Sequence, residues 1–472
     1  MNYEGFKESL KKAAQRFSSL DKNKVVRIVS HLDADGISAC SLLVKALNFE
    51  NRKYAISIVQ QLNKEVIKEL SFEPYDYFVF TDLGSGQIKN IKEMLGNKEI
   101  FILDHHIPEE LELQSKITHV NPHLFGIDGS SEISGSGVVY LFARELNSDI
   151  DNFAHIAIIG AIGDIQDNGG FMKLNEEILQ TAISKNKVKV IKGLRIFGAQ
   201  TKPLHKVLEY STDPYIPGVS GSESGAIQFL NQIGINPKNG SDWKKIVHLE
   251  EEEIKKLVAG IIMKRFGEQN PEDVLGNVYL LKEEEKESPT RDAKEFATLL
   301  NACGRMGKAS LGIGACLGDK KIKEKAIKNL SSYKREIINA INWYYENKNS
   351  SFVTSAKGYT LINAQDKVMP TIIGTVASII SKSKLIDEGS YILSMAQLIN
   401  GSTKVSLRVA GHRTNGVDLQ SIMQEIIKDI EGCESGGHSN AAGALIPTDK
   451  EDSFITAAKE VLGRKAMEEV IG

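Results

Sequence analysis

Residues 25–40 read VVRIVSHLDADGISAC: a β-branched run, three polar side chains in alternation, and the apolar start of a helical stretch. The run predicts a buried strand, and the apolar stretch after it predicts a helix packed back against that strand. The same phrase recurs twice. Tyr77 to Phe80 leads into TDLGSG and a Lys/Ile helix, and Ile100 to Leu103 ends in DHH. Strand, acid-bearing turn and helix in repetition imply a mostly parallel sheet covered by helices, with ligands bound at the carboxyl ends of the strands. All three polar turns should then open onto one edge.

The chain of 472 residues exceeds what one hydrophobic core supports, so several domains are expected. From about Leu174 to Lys348 the pattern is largely helical, with a candidate strand at VYLL and one long helix over 320–348. Beyond it, strand YTLINA, helix TIIGTVASIISKS, strands YILSMAQL and KVSLRV, helix LQSIMQEIIKDI and the glycine-rich SGGHSNAAGALIP suggest a small α+β domain. The divisions read are 1–190, 191–348 and 349–472.

Composition is that of an ordinary globular chain, 41% hydrophobic and 25% charged. The 58 Lys and Arg nearly cancel the 61 Asp and Glu, leaving −3, which excludes a uniformly basic nucleic-acid binder. Four scattered cysteines suggest neither a zinc site nor a disulfide framework. The N-terminus reads as an amphipathic helix rather than a signal peptide, and no apolar run reaches the roughly 18 residues of a membrane span. A cytoplasmic setting without membrane partners is expected.

His31, Asp33 and Asp35 alternate, so an extended backbone would project all three to one side. Asp82 follows the second strand, His105 and His106 the third, and Asp164 lies in the apolar AHIAIIGAIGDIQD. Carboxylates and imidazoles gathered at strand ends suit a two-metal hydrolytic centre, where ions offset developing negative charge and lower the pKa of water from roughly 16 to about 7. A lone Asp after a strand is commonly a turn residue or helix cap. The doublet carries more weight, because composition alone gives roughly 0.03 acid-His-His triplets in such a chain.

These four segments resemble motifs I to IV of the DHH phosphoesterase superfamily, and SGGHSNAAGA resembles its glycine-rich DHH-associated domain. Chain length, the insertion between the two domains, ISGSGVVYLF and NACGRMGKASLGIGACLGD resemble the archaeal RecJ-like exonucleases, including the GINS-associated nuclease type. The resemblance implies an α/β fold: a mostly parallel N-terminal DHH domain, a helical middle and a small α+β DHH-associated domain. It implies that His31 and Asp33 bind one metal, Asp35, His105 and Asp164 another, and that Asp82 bridges them. His106 would meet the scissile phosphate or protonate the leaving oxygen, and Asp104 would orient an imidazole. Asp167 reads as a neighbouring loop acid. Two divalent cations are implied, Mn2+ first and Mg2+ as the alternative.

Arg408, Gly436, Gly437 and His438 are the substrate-binding candidates in the C-terminal domain, although Ser435 stands where the fuller family pattern has a further glycine. Arg305 is a second candidate anion contact, with a plain surface arginine as the alternative. Ser134 to Gly137 could present helix amides to an anion, or be a plain cap. Local positive charge comes from 178–208, which contains no Asp or Glu, and from the lysines of 320–335. The function expected is a single-strand-specific exonuclease of DNA or RNA in replication or repair. A short-oligonucleotide or nucleotide phosphoesterase, and a replication-fork scaffold that binds GINS and the replicative helicase, are the alternatives.

Overall fold

The hydrophobic runs of the first third pair into one parallel sheet of β1 (Val26–His31), β2 (Tyr54–Val59), β3 (Tyr77–Thr81), β4 (Glu99–Leu103) and β5 (Ile117–Val120), in the order β2-β1-β3-β4-β5. The computed structural model describes all residues except 111–115, 212–213, 269, 384–385, 412–416, 439–440 and 472, and only the backbone of 438 and 469–471. Strands β1, β3 and β4 are buried on both faces, which is why they read as unbroken apolar runs. Their register aligns Ser30 with Thr81 and Thr81 with Leu103, so the HLDAD, TDLGSG and DHH turns leave the sheet at one level. Strand order reverses between β1 and β3, the switch point where such sheets hold ligands.

Phe78, Phe80, Ile100 and Ile102 pack on one face with Ile67, Leu70, Ile88, Ile91 and Leu95. On the other face, Phe17 of the N-terminal helix Tyr3–Ser18 meets Phe101 and Phe142 edge-on, at 5.3 and 5.7 Å between centroids.

In the middle of the chain β6 (Val188–Leu194), β7 (Lys238–Asn239), β8 (Asp242–Trp243) and β9 (Leu275–Leu281) form two antiparallel pairs, β6 with β9 and β7 with β8. The intervening helices enclose a small core that includes Leu204, Leu208, Phe229, Leu257 and Ile261. The helix Ala293–Arg305 then returns to the first sheet. Asn301 Oδ1 accepts the Ala34 amide at 3.1 Å, and a Cβ on Gly304 would overlap the Leu32 carbonyl oxygen, so only glycine permits this approach.

The chain forms two compact units, Met1–Leu330 and Ser331–Gly472, and the 28-residue helix Lys320–Asn347 runs from one into the other. The second unit holds β10 (Val353–Ala356), β11 (Tyr359–Asn363), β12 (Tyr391–Gln397), β13 (Ser402–Val409), β14 (Glu434–His438) and β15 (Ala441–Pro447), in the order β10-β11-β12-β13-β15-β14. Only β11 and β12 are parallel, joined by a crossover through the helix Pro370–Ser381. Leu393, Met395, Val405 and Leu407 pack against Met423 and Phe454 from the last two long helices. Among the described residues no helix is long and apolar enough to cross a membrane.

Candidate metal centre

Strand β1 ends at His31, and Asp33, still extended at ψ −175°, caps the helix Ala34–Phe49 by accepting the Gly36 amide at 2.9 Å. The alternation read from HLDAD therefore holds only as far as Asp33. Asp35 already belongs to the first helical turn and points to a different set of partners. Asp82 follows β3 with φ +59°, and Asp164 caps the helix Ala154–Gly163 just before Ile165, which has φ +61°. Non-glycine residues in this region cost about 1–3 kcal/mol each and tend to sit where geometry is functionally constrained.

His105 Nε2 lies 3.3 Å from Asp82 Oδ1, 3.3 Å from Asp164 Oδ2 and 3.8 Å from Asp35 Oδ2. His31 Nδ1 lies 2.9 Å from Asp33 Oδ2 and 3.8 Å from Asp82 Oδ2. The two oxygens of Asp82 thus face two donor sets, His31 with Asp33 and Asp35 with His105 and Asp164, and each set could hold a cation. Both Asp82 oxygens and His105 Nε2 are buried and make no hydrogen bond among the described residues. Unsatisfied buried groups of this kind cost about 1–3 kcal/mol each, and coordination by hard divalent ions would satisfy all three.

The electrostatics point the same way. Burial, reinforced by the charges of Asp35, Asp33 and Asp164, pushes the Asp82 carboxyl well above its ordinary range. Burial and Asp35 do the same to Asp164. Burial lowers the His105 imidazole, but the opposing pull of Asp164, Asp35 and Asp104 prevails and raises it. Partial burial alone would raise Asp33, yet His31 holds it below the usual carboxylate range. The pocket concentrates negative charge that cations would neutralise.

A supporting layer fixes these donors. The Gly129 carbonyl accepts His105 Nδ1–H at 2.6 Å, which leaves Nε2 as the lone-pair atom facing the carboxylates. Gln166 Nε2 donates to the same carbonyl at 3.0 Å, and Asn175 Nδ2 donates to Gln166 Oε1 at 2.6 Å. Replacing Gln166 by Leu strips that carbonyl of a donor and leaves the buried Asn175 amide unpaired. We expect a 10–100-fold loss of divalent-ion affinity, read from the metal dependence of activity, with the fold retained.

The amides of Gly135 and Ser136 donate to the two Asp35 oxygens at 2.6 and 3.0 Å. The helix amides that the sequence offered to a bound anion are therefore taken by the protein's own carboxylate.

Asp104 accepts from His106 Nδ1 at 2.7 Å, from the His105 amide at 2.8 Å and from the Ser85 amide at 2.9 Å. Burial would raise its carboxyl, but His106 and these donors drive it far below the ordinary range, so it stays ionised. The His106 side chain is 38% exposed, and Asn121 Nδ2 donates to its carbonyl at 2.8 Å. Asp167 lies outside the donor sets, 4.0 Å from Arg195.

Arg305 ends the helix whose Gly304 abuts Leu32, and is partly exposed. In the second unit Arg408 Nε donates to Ser378 Oγ at 2.9 Å, and its Nη1 donates to the carbonyls of Leu407 at 2.8 Å and Ala442 at 3.3 Å. Gly437 pairs with Ala442 across β14 and β15, which brings Arg408 and Gly437 to one locality, and Gly436 pairs with Gly443. Gly437 has φ +132°, and a Cβ there would overlap the Ala441 carbonyl oxygen. The His438 side chain, with Ser439 and Asn440, lies outside the described residues.

Three family descriptions match this chain in order: the DHH family, N-terminal domain, over residues 25–161, the DHH-CID domain over 196–277 and the DHHA1 domain over 355–464. An uncharacterized protein of Methanocaldococcus jannaschii is 34% identical over 451 residues, covering 93% of this chain and 94% of that one. The single-stranded-DNA-specific exonuclease RecJ of Thermus thermophilus is 23% identical over 211 residues, 42% of this chain and 30% of that enzyme. Among solved structures, RecJ from Thermus thermophilus in complex with Mn2+ shares the fold at a TM-score of 0.59 and 17% identity. That match covers 97% of this chain, which spans only 55% of the Thermus chain's length. CDC45 from Entamoeba histolytica aligns at a TM-score of 0.60 and 12% identity, covering 98% and 99% of the two chains. The chain therefore belongs to the DHH family of phosphoesterases and has the RecJ-like fold.

Proposed function

We propose that this chain is a metal-dependent phosphodiesterase that trims single-stranded DNA or RNA from an end. The observation carrying the reading is Asp82, whose two buried, unbonded oxygens face separate donor sets beside a partly exposed His106. In this reading His31 and Asp33 would hold one ion, Asp35, His105 and Asp164 the other, and Asp82 would be available to both. Mixed oxygen and imidazole donors suit Mn2+, with Mg2+ the alternative. The ions would supply positive charge at the scissile phosphate and a water acidic enough to attack near neutral pH.

The chain's own groups do the rest. Asp104, ionised, holds His106 Nδ1–H, and His106, which lies close enough to Asp82 and His105 to share a cation with them, would contact the phosphate or hand a proton to the leaving oxygen. Arg408 and the Gly436–Gly437 backbone, with His438 in the same segment, form an anion grip in the second unit, and Arg305 is a further contact in the first.

A replication-fork scaffold that binds GINS and the replicative helicase is the second reading, favoured by the likeness in fold to CDC45. A complete donor set favours catalysis over a purely structural role. A Mn2+ time course on single-stranded DNA and RNA labelled at either end, with a dinucleotide alongside, separates the readings. Stepwise shortening from one end is expected. Cleavage of the dinucleotide alone would leave a short-oligonucleotide hydrolase, and no metal-dependent cleavage, with GINS co-purifying, would leave the scaffold.

A further inference from the structure

Ser85 lies in the TDLGSG turn, fully buried, and every polar group it has is bonded to the segment of the DHH turn or to the strand beside it. Its amide donates to Asp104 Oδ2 at 2.9 Å, and its carbonyl accepts the Glu109 amide at 3.0 Å. Its hydroxyl lies 2.8 Å from Asn121 Nδ2 and 2.8 Å from His119 Nε2. His119 belongs to β5, and Asn121 follows that strand in extended backbone at φ −145° and ψ 131°, so the two side chains leave the same face. Strand β5 runs beside β4 up to this point, with Val120 opposite Leu103.

The direction of these bonds is fixed by their backbone partners. The His123 amide can only donate, so Asn121 Oδ1 accepts it at 2.9 Å, and Asn121 Nδ2 is turned to the His106 carbonyl and to Ser85 Oγ, both at 2.8 Å. Ser85 Oγ therefore accepts from Asn121, and its own proton goes to His119 Nε2. That bond needs a neutral His119, and burial lowers this imidazole from its ordinary value. Both attachments of His106 lead back to Ser85. The Ser85 amide occupies Asp104 Oδ2 and leaves Oδ1 to His106 Nδ1 at 2.7 Å, while the amide group that holds the His106 carbonyl also rests on the Ser85 hydroxyl. None of Ser85, His119 and Asn121 belongs to a set of side chains that could hold a cation among the described residues.

We propose that Ser85, Asn121 and His119 are positioning residues for His106, a clamp centred on one hydroxyl that sets where His106 stands against the substrate without helping to hold the ions. The clamp rests on the phosphodiesterase reading, in which His106 meets the phosphate or the leaving oxygen. A displacement of the order of an ångström at such a group is enough to cost turnover. A serine that merely closed its turn would act on the fold and on the metal donors alike, and its effect would not depend on His106.

The test uses the full chain and a single-stranded oligonucleotide at saturating Mn2+. Ser85→Ala keeps both backbone bonds and removes only the hydroxyl, which leaves Asn121 and His119 each one partner short. Its kcat should fall about ten- to a hundredfold with KM within about twofold. Binding of Mn2+, read by calorimetry, should be unchanged. A cycle with His106→Ala asks whether the effect passes through that residue, with residual rates taken in single turnover under excess protein. His106→Ala alone should cost about a hundredfold or more, and adding Ser85→Ala to it should cost less than about twofold further. His119→Gln keeps an acceptor near the place of Nε2 and should retain most of the rate that His119→Leu loses. That pair carries the test if Ser85→Ala fails to fold. An equal loss from Ser85→Ala with and without His106, weaker Mn2+ binding, or equal rates for His119→Gln and His119→Leu would each overturn the clamp. The underlying reading fails by a different result, the absence of metal-dependent cleavage of single strands by the unaltered protein.

Discussion

Asp82→Asn is expected to lower metal-dependent phosphodiester cleavage by at least about a thousandfold while leaving the fold intact. Asparagine matches aspartate in shape and, with it, is among the residues that tolerate the left-handed backbone that Asp82 adopts at φ +59°. The substitution therefore isolates chemistry from strain, which alanine at the same position would confound. One oxygen becomes an amide nitrogen that cannot ligate, and the negative charge shared by the two donor sets is lost. Initial rates over a Mn2+ titration, compared with His105→Ala, would measure the effect. A rate within a few fold of the unaltered protein would remove Asp82 from its proposed role.

The second large effect is on stability. Burial and mutual repulsion make ionisation of the Asp82 and Asp164 carboxyls costly, so the metal-free protein should be destabilised by its own centre. Each ion present at 100 times its dissociation constant adds about 2.7 kcal/mol. Two such ions should raise the unfolding midpoint of the first unit by about 10 °C. Asp82→Asn should raise the midpoint in chelator and shrink the gain from Mn2+.

The pH dependence follows from the same shifts. Asp82 and Asp164 have folded values above their unfolded ones near 4, so the native state binds more protons above that value. Stability of the metal-free protein should therefore fall as pH rises from about 4 towards neutrality. With ions bound, the dependence should weaken or reverse. Scanning calorimetry in chelator and in Mn2+ at several pH values would check both. An unchanged midpoint on adding Mn2+ would count against the donor sets.

The sheet was legible where strands are buried on both faces and end in acid-bearing turns, as at β1, β3 and β4. Edge strand β2, half-exposed along its length, and the four-residue β5 lack that signature and were not anticipated. The histidines and aspartates of HLDAD and DHH stand out because rare residue types coincide. The groups that steady them do not. Gly129 acts through its carbonyl, Gln166 and Asn175 through amides that look like ordinary polar residues, and Asn301 reaches Ala34 from 267 positions away. Asp35 leaves the alternation that an extended chain would continue, because helix begins at Ala34.

That contact between Ala34 and Asn301 also orders events in time. All six proposed ligands lie within the first 164 residues, and the sheet that carries them is complete by residue 120. Yet the turn bearing Asp33 gains its floor, Asn301 and Gly304, only after nearly two thirds of the chain has been synthesised. Closing so long a loop is slow and comes after local structure has formed. A growing polypeptide that has reached residue 164 therefore holds every proposed ligand but not yet the support under the Asp33 turn.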